Sequence, residues 1–241
     1  MLERDVMPIV FLDFDGTISR ADVVDAILER YAAREWVRVE EEWRAGRLGS
    51  RECLRQQMAL VTATPAEADA LIDAIGIDEG FRAVLETGAA SGMPVHIISD
   101  GFDYCIRRLL RQVPAAAQPI VQAMRICASH LEPGGDGTWR TAFPFPDEAC
   151  VHGCATCKPA VMQTLNPEGS VTVFVGDGLS DRYAAGAADL VYAKDKLARY
   201  CAEQQIAHVP YAGLADVALD LNDRLRSGQL PRRSSAARVG A

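Results

Sequence analysis

Residues 9–17 read IVFLDFDGT, an apolar run that leads directly into two carboxylates, a glycine and a hydroxyl. A short apolar run with β-branched members predicts a buried strand, and Gly16 suits a turn at which the backbone approaches a ligand. Asp13 and Asp15 would then lie at the carboxyl end of the strand, where open α/β sheets bind ligands. Carboxylates this close repel each other unless a cation or a shared proton intervenes. The stretch favours a site for phosphoryl chemistry, and a solvated acidic turn is the alternative.

The composition narrows the class of protein. The 241 residues are 49% hydrophobic and 24% charged, with a net charge of −8. These values are typical of a globular chain with a substantial core. Negative charge opposes binding to nucleic acid and to anionic membranes, and no apolar run approaches the roughly 18 residues of a membrane helix. Since the amino terminus also lacks a signal-peptide pattern, we expect a cytoplasmic monomer or homodimer that binds a small molecule.

The periodicity of the apolar residues predicts the order of the elements. After residue 18 the spacing is helical up to residue 90, with a helix start at Thr64 followed by Pro65. Residues 94–98 and 171–175 then read as strands that end in polar residues and precede helices, which is typical of βα units. Residues 120–128 predict a further strand, and the glycines at 134–137 predict a hairpin.

We therefore predict an α/β protein with a Rossmann-like core, a mostly parallel sheet and an all-helical insert. The predicted divisions are a core of residues 1–18 and 91–226, an insert of residues 19–90, and a disordered tail of residues 227–241. Within the insert, Trp36 and Trp43 are expected to pack against other residues rather than to stack on a ligand.

Polar residues follow three of the predicted strands, at Asp13, Ser99 and Asp177. The carboxyl ends of parallel strands lie at one edge of a sheet, so these residues are expected to converge. Asp181 comes four residues after Asp177 at the start of a helix, close enough to present its carboxylate to the same site. Lys158 precedes Pro159, a residue suited to the first helical turn, and would therefore project from a helix amino terminus.

Taken in order, DFDGT at 13–17, Ser99, KP at 158–159 and GDGLSD at 176–181 resemble the four motifs of the haloacid dehalogenase (HAD) superfamily. The helical insert resembles the C1 cap of its subfamily IB. SDGFDY at 99–104 and CATCKP at 154–159 resemble, more narrowly, the methionine-salvage phosphatases that act on 2-hydroxy-3-keto-5-methylthiopentenyl-1-phosphate. This resemblance implies hydrolysis of a small phosphomonoester. The alternatives are a phosphoserine phosphatase-like enzyme, a phosphotransferase or dehalogenase, and a non-catalytic protein that binds a phosphorylated metabolite.

The resemblance also implies catalytic roles. Asp13 is the expected nucleophile that forms an aspartyl-phosphate, and Asp15 is the expected acid and then base. Four ionised aspartates and a phosphate dianion concentrate more negative charge than Lys158 can offset, so we expect Mg²⁺. Its expected ligands are Asp13, Asp177 and the main-chain carbonyl of Asp15, with Asp181 in support.

Six residues are expected to contact the substrate. They are Thr17, Asp22, Arg47, Ser99, Asp100 and Gly101. Asp22 falls where phosphoserine phosphatases carry a glutamate that touches the substrate, and its side chain is one methylene shorter, which weakens a phosphoserine assignment. For Arg47 a solvated helix face is the alternative.

The cysteines indicate a reducing compartment. Seven cysteines are an odd number in a chain that is large enough to fold without disulfides. Cys150, His152, Cys154 and Cys157 directly precede Lys158, and their spacing could supply four ligands to a structural Zn²⁺. Buried, reduced thiols are the alternative.

Overall fold

A seven-stranded sheet forms the centre of the molecule, in a computed structural model that describes residues 7–231. The strand order is β4-β3-β2-β1-β5-β6-β7, and all neighbours are parallel except β3 and β4. The predicted α/β fold with a mostly parallel sheet is confirmed. The strands are β1 (Ile9–Leu12), β2 (Val95–Phe102), β3 (Ile126–Pro133), β4 (Trp139–Ala142), β5 (Thr172–Gly176), β6 (Leu190–Ala193) and β7 (Val209–Pro210).

Eleven α-helices surround the sheet within residues 7–231. None of these helices is both long and apolar enough to cross a membrane. The helices are α1 (Val23–Tyr31), α2 (Trp36–Arg44), α3 (Ser50–Met58), α4 (Pro65–Ile75), α5 (Phe81–Ser91), α6 (Asp103–Leu110), α7 (Gln118–Ala123), α8 (Lys158–Leu165), α9 (Arg182–Ala187), α10 (Asp195–Glu203) and α11 (Leu214–Ser227).

The central strands are buried on both faces. Val10 and Leu12 of β1 belong to one apolar cluster, whereas Ile9 and Phe11 belong to the cluster on the other side of the sheet. This alternation follows from the two-residue period of a strand, and burial on both faces explains why β1 is a continuous apolar run. The chain therefore emerges from the core at Asp13.

The prediction of a strand over residues 120–128 is partly wrong. Helix α7 occupies the first half of that stretch, and strand β3 begins at Ile126. Pro119 lies in the first turn of α7, a position that proline tolerates because its missing N–H has no partner there. The predicted hairpin at the glycines 134–137 is confirmed, since β3 and β4 pair antiparallel on either side of it.

Helices α1 to α3 of the predicted insert contribute residues to a cavity at the carboxyl edge of the sheet, and α4 packs against α1 and α6. Helix α4 begins where the sequence predicts, with Thr64 and Glu67 capping each other's backbone and Pro65 in the first turn. Helix α5, which the prediction assigns to the insert, packs instead against α11 of the core. A Cβ at Gly80 would overlap the backbone of Leu214 and Ala215, so α5 and α11 approach closely. The division into core and insert stays a proposal.

The predicted boundaries at the two ends fall partly outside the described residues. Residues 1–6 of the predicted core and residues 232–241 of the predicted tail are not described. Within the described part, α11 runs to Ser227, the residue at which the predicted tail begins.

Candidate active site

The carboxyl edge of the sheet borders a cavity of about 770 Å³. Strand β1 lies between β2 and β5, so Asp13, Ser99 and Asp177 come together from distant parts of the sequence. Ser99 lies within β2, where the pairing with β3 shifts register between Ile98 and Phe102. Such irregularities redirect side chains next to active sites.

Lys158 joins two buried carboxylates. Its Nζ lies 2.8 Å from Oδ1 of Asp13 and 2.5 Å from Oδ1 of Asp181. Burial disfavours the ammonium, but these aspartates outweigh it and raise the pKa of Lys158, so the side chain stays charged. Burial also raises the pKa of Asp13, and Asp181 adds to that effect while Lys158 opposes it. Full ionisation of Asp13 therefore calls for more positive charge than Lys158 supplies.

Asp181 holds the turn after β5. Its Oδ2 accepts hydrogen bonds from the backbone N–H groups of Asp177 and Gly178, at 3.0 and 3.1 Å. A Cβ at Gly176 would overlap this carboxylate, which explains the glycine. Since its other oxygen binds Lys158, both oxygens of Asp181 already have partners. This arrangement suits a residue that positions Lys158 and the turn.

Thr17 is buried beside Asp177 and binds its carboxylate. The Thr17 hydroxyl donates to Oδ1 of Asp177 at 2.8 Å, and its side chain is fully buried. The hydroxyl does not line the cavity, so the structure gives no support to the predicted substrate contact. Burial, followed by the charge of Asp181, raises the pKa of Asp177 to about 7. The hydrogen bond from Thr17 acts in the opposite direction.

Asp15 occupies a different environment, at the junction of β1 and helix α1. Its Oδ1 accepts a hydrogen bond from the backbone N–H of Val23 at 3.0 Å, and Ser99 Oγ donates to its Oδ2 at 3.4 Å. Burial raises the pKa of Asp15 to about 6, although these hydrogen bonds lower it. A Cβ at Gly101 would overlap the Asp15 carboxylate. Asp15 is thus a carboxyl group that changes protonation near neutral pH.

Asp13, Asp177 and Asp181 form a group whose carboxylate oxygens lie within 4.8 Å of one another. Within residues 7–231 it is the only group of three or more potential metal ligands that meets this limit. An all-oxygen set suits a hard cation such as Mg²⁺. Three carboxylates this close repel one another unless a cation intervenes, so the donor set fits a divalent ion. Asp181 is the member whose oxygens are already engaged.

The other residues predicted to contact the substrate differ in whether they line the cavity. Asp22 lines the cavity and also caps helix α1, since its carboxylate accepts from the N–H of Asp25 at 2.9 Å. Asp100 lines the cavity, but its Oδ1 accepts from the N–H of Thr156 at 3.0 Å. Arg47 does not line the cavity. Its guanidinium pairs with Glu42 on an exposed face, as in the solvated alternative.

The comparison with protein families identifies the origin of this site. The model of the haloacid dehalogenase-like hydrolases matches residues 10–186, which run from β1 into α9 and include all the aspartates described above. The chain belongs to the haloacid dehalogenase-like hydrolase family. The resemblance drawn from the sequence motifs is therefore confirmed.

Curated relatives and solved structures agree with membership of the haloacid dehalogenase-like hydrolases. The chain is 28% identical over 214 residues to a 2-hydroxy-3-keto-5-methylthiopentenyl-1-phosphate phosphatase from Geobacillus thermodenitrificans, covering 87% of this chain and 93% of the relative. A Geobacillus kaustophilus protein of the same name is 29% identical over 212 residues, with the same coverage. A probable phosphoserine phosphatase from Vibrio cholerae has a TM-score of 0.67 at 21% identity, covering 96% of this chain and 70% of that chain, and shows the shared fold.

One wall of this hydrolase's cavity is formed by the predicted helical insert, which we call the cap, and it carries both apolar and polar side chains. Trp43 lines the cavity, so its packing rather than stacking on a ligand stays a prediction, whereas Trp36 packs against the main apolar cluster. Leu54 adds a second apolar side chain beside Trp43. Gln57 is buried and donates to Glu40 at 3.1 Å, which fixes a polar pair at the same wall.

Helix α10 contributes cavity residues that the sequence reasoning missed. Lys196, Arg199 and Tyr200 line the cavity. Among the described residues, Lys196 and Arg199 form no ion pair within 4.0 Å. The signal was present, because β6 lies next to β5 and the helix after β6 must start at the same edge of the sheet. Their i, i+3, i+4 spacing then puts the three side chains on one helix face.

The cysteine cluster before Lys158 is only partly assembled. The Sγ atoms of Cys150 and Cys154 lie 3.5 Å apart. Cys157 donates its thiol to Asp147 at 3.7 Å and also interacts with the thiol of Cys150, whereas the ring of His152 stacks on Tyr183 with 4.0 Å between centroids. The four predicted ligands do not form a group within the 4.8 Å limit. Zinc binding at these residues stays a prediction.

Proposed function

We propose that this chain is a Mg²⁺-dependent phosphatase that hydrolyses a small phosphomonoester through an aspartyl-phosphate on Asp13. The contrast between two neighbouring carboxyl groups carries the proposal. Burial raises the pKa of both groups, but Asp13 contacts the buried Lys158 ammonium and lies in the predicted cation site, whereas Asp15, with a pKa of about 6, is bound by the N–H of Val23 and the hydroxyl of Ser99. A nucleophile needs to be ionised and a general acid needs its proton, so the two environments suit the two tasks. Family membership supports the same chemistry.

In the first step the Asp13 carboxylate attacks phosphorus while the bond to the leaving alcohol breaks. Asp15 donates its proton to the leaving oxygen, because an alkoxide is a poor leaving group. The Lys158 ammonium stabilises negative charge around Asp13 and the phosphoryl group. Lys158 is fixed for this task by Asp181, which cannot move far because the backbone after β5 also binds it.

In the second step water cleaves the aspartyl-phosphate. Asp15, now a carboxylate, accepts a proton from the attacking water, and the products are inorganic phosphate and the free Asp13 carboxylate. A pKa of about 6 allows Asp15 to hold and to release a proton near neutral pH. The hydrogen bonds from Val23 and Ser99 keep its carboxyl group at the edge of the cavity in both steps.

The proposed Mg²⁺ ligands are Asp13, Asp177 and the main-chain carbonyl of Asp15. When bound, Mg²⁺ would supply positive charge for the carboxylates and for a phosphoryl oxygen. Thr17 holds Asp177 in place, and Asp181 holds Lys158. The structural reason for proposing the ion is the approach of the Asp13 and Asp177 carboxylate oxygens to within 4.8 Å of each other, which a shared cation would stabilise.

The leading candidate substrate is 2-hydroxy-3-keto-5-methylthiopentenyl-1-phosphate. The names of the curated relatives support it, and Trp43 and Leu54 offer apolar surface for a methylthio end. Phosphoserine is the second candidate, favoured by Lys196 and Arg199, which present positive charge suited to a carboxylate. The shorter Asp22 remains the argument against it.

A panel of phosphate esters tests the proposal. The panel contains both candidates, p-nitrophenyl phosphate and simple alkyl phosphates, each with Mg²⁺ and with EDTA. We expect Mg²⁺-dependent release of phosphate that Asp13→Asn abolishes. Faster turnover of the methylthiopentenyl ester than of phosphoserine supports the first candidate, and the reverse supports the second. Absence of phosphate release from every ester, or equal activity in Asp13→Asn, contradicts the proposed chemistry.

Three further features belong to the proposal. We expect the protein to act in the cytoplasm, where small phosphorylated metabolites occur, as a monomer or homodimer that sedimentation can distinguish. For Cys150, His152, Cys154 and Cys157, a structural Zn²⁺ is the alternative to free, reduced thiols, and it requires one zinc per chain by elemental analysis. Protein purified without chelators and free of zinc would contradict it.

A further inference from the structure

The segment before Lys158 carries two thiols that nearly touch. We name residues 150–157 the cysteine loop. Its Cys150 and Cys154 have Sγ atoms 3.5 Å apart, and both residues are partly exposed. A disulfide bond is about 2.05 Å long, so the sulfurs need to approach by only about 1.5 Å. The other free cysteines outside the loop are buried: Cys53, Cys105, Cys127 and Cys201.

The cysteine loop also contacts helix α3 of the cap through hydrogen bonds and close backbone packing. The N–H of Arg51 donates to the carbonyl of Gly153 at 3.1 Å, and its guanidinium donates to the carbonyl of Cys154 at 3.1 and 3.2 Å. The N–H of Ala155 donates to Ser50 Oγ at 2.9 Å. A Cβ at Gly49 would lie 2.6 Å from the carbonyl oxygen of Gly153, so the two backbones are in direct contact.

The same contacts reach the active site. Ser50 and Asp100 both line the cavity, and the N–H of Thr156 donates to Asp100 at 3.0 Å. Two residues further on, Lys158 binds Asp13. A change in the backbone at residues 153–155 would therefore displace the start of α3 and the strand end that carries Asp100.

We propose that Cys150 and Cys154 are a modification site, at which a small disulfide such as oxidised glutathione forms a reversible disulfide bond that loosens the cap and slows catalysis. One thiolate attacks the small disulfide and releases one small thiol, and the second cysteine then displaces the other. The two protein thiols together lose two electrons and two protons, which the small disulfide takes up as two thiols. The loss of activity rests on the proposed phosphatase function, whereas the bond itself does not.

Formation of the disulfide bond affects the cap because Cys154 is held at two points. Cys154 contributes both the reacting sulfur and the carbonyl that binds Arg51. Pulling its side chain toward Cys150 moves that carbonyl, and the close contact between Gly49 and Gly153 prevents the cap from following freely. A misplacement of about 1 Å in an active site can reduce the rate by up to about 100-fold.

The test uses the full chain, reduced and then equilibrated with oxidised glutathione. We expect loss of two of the seven thiols, a Cys150–Cys154 linkage in peptide maps, and a fall of about tenfold or more in the rate with p-nitrophenyl phosphate, reversed by dithiothreitol. Cys150→Ser and Cys154→Ser each keep one of the two thiols, which can hold one glutathione but cannot form the linkage, so the loss of rate that depends on the linkage should be absent. Cys127→Ser, which lacks a buried cysteine elsewhere, should respond like the wild type.

Hydrogen exchange gives a readout that does not depend on catalysis. Oxidation should speed exchange at the amides of Arg51 and Ala155 if their bonds across the cap contact are lost. The proposal is overturned by an oxidised protein without the Cys150–Cys154 bond, by a linked protein with unchanged rate and exchange, or by zinc that protects these thiols. If no ester is hydrolysed at all, the proposed function fails, while peptide maps and exchange still decide the inference.

Discussion

The two walls of the cavity are built on different physical principles. On the core wall, Asp13, Lys158 and Asp181 are at most 5% exposed and are bound to each other. On the cap wall, helix α2 has no buried residue, and its Glu40 pairs at 2.9 Å with Arg44, whose side chain is 53% exposed. Packing and buried charge fix the first wall, whereas partly exposed ion pairs, together with the Gln57–Glu40 hydrogen bond, hold the second.

This difference assigns separate tasks to the walls. A buried charge without its partner is costly, so the core wall tolerates little change, and it carries the chemistry. Exposed ion pairs contribute little stability, so the cap wall can vary in sequence at small cost and is suited to selecting the leaving group. Substitutions in one wall at a time separate these two tasks.

The largest effect is expected from Lys158→Met. This substitution leaves Asp13 and Asp181 buried without their counter-charge, and it should lower the free energy of unfolding by about 3–5 kcal/mol. The rate of phosphate release should fall by at least about 1,000-fold, since stabilisation of developing charge is lost. Urea denaturation and phosphate assays measure the two effects. Lys196→Met, an exposed lysine at the same cavity, is the matched control and should change stability by less than about 0.5 kcal/mol.

Asp177→Asn should separate metal binding from folding. Because the pKa of Asp177 is raised to about 7, the folded protein holds this proton more tightly than the unfolded chain does. The metal-free wild type should therefore lose stability as pH rises from about 4 to about 7. At pH 8 in EDTA, Asp177→Asn should be more stable than the wild type by about 1–3 kcal/mol, yet inactive.

Thermal unfolding with added Mg²⁺ completes this comparison. Saturating Mg²⁺ should stabilise the wild type by about 2–3 kcal/mol at 100 times its dissociation constant and should have little effect on Asp177→Asn. Equal stabilisation of both proteins would show that Asp177 does not bind the ion.

Asp15 should make the rate depend on pH and on the leaving group. The acid is protonated below about pH 6, so kcat for an alkyl phosphate should fall as pH rises above that value when chemistry limits the rate. Asp15→Asn should reduce turnover of the alkyl ester by about 100- to 10,000-fold. The first step with p-nitrophenyl phosphate, whose leaving group needs little protonation, should be much less affected. An equal loss for both esters in a single-turnover burst would argue against Asp15 as the acid.

Trp43→Ala changes the cap wall alone. Loss of its apolar surface should raise KM for the preferred ester by about tenfold while leaving unfolding nearly unchanged, because Trp43 is only partly buried. Trp36→Ala is the matched control. Trp36 packs against the main apolar cluster, so its loss should lower stability and leave KM unchanged. The opposite pattern would place substrate selection elsewhere.

The smallest effect is expected from Arg47→Ala. The Arg47–Glu42 pair has side chains that are 61% and 41% exposed, and pairs of this kind contribute at most about 1 kcal/mol. Both kcat/KM and the unfolding midpoint should stay close to the wild-type values. A tenfold loss in kcat/KM would support the predicted contact between Arg47 and the substrate.

The residues of the core wall could be predicted from the sequence because the strand ends of a parallel sheet lie at one edge. That rule places Asp13, Ser99 and Asp177 together without any knowledge of the rest of the chain. The rule does not give side-chain direction, so it missed that Thr17 turns under the site toward Asp177. The separate environments of Asp13 and Asp15 also depend on tertiary partners, namely Lys158 and the N–H of Val23.

The residues of the cap wall were harder to predict from the sequence, for a physical reason. Helical periodicity tells which face of α2 is apolar, but the cavity depends on how α2 and α3 are placed over the sheet, and few buried contacts encode that placement. The substrate contact predicted for Arg47 and the packing predicted for Trp43 both depend on this placement, and both stay predictions. The residues of α10 were missed because the motifs end before β6, although the sheet order brings α10 to the same edge.

Trapping of the phosphorylated protein tests the central claim most directly. The protein is mixed with p-nitrophenyl phosphate and Mg²⁺, quenched in acid within the first turnover, and mapped by peptide mass spectrometry. Asp15→Asn should accumulate the intermediate, because the base for its hydrolysis is missing. We expect a hydroxylamine-labile phosphoryl group on Asp13, absent from Asp13→Asn. Phosphate release without any phosphorylated peptide, or a phosphoryl group on another residue, would contradict Asp13 as the nucleophile.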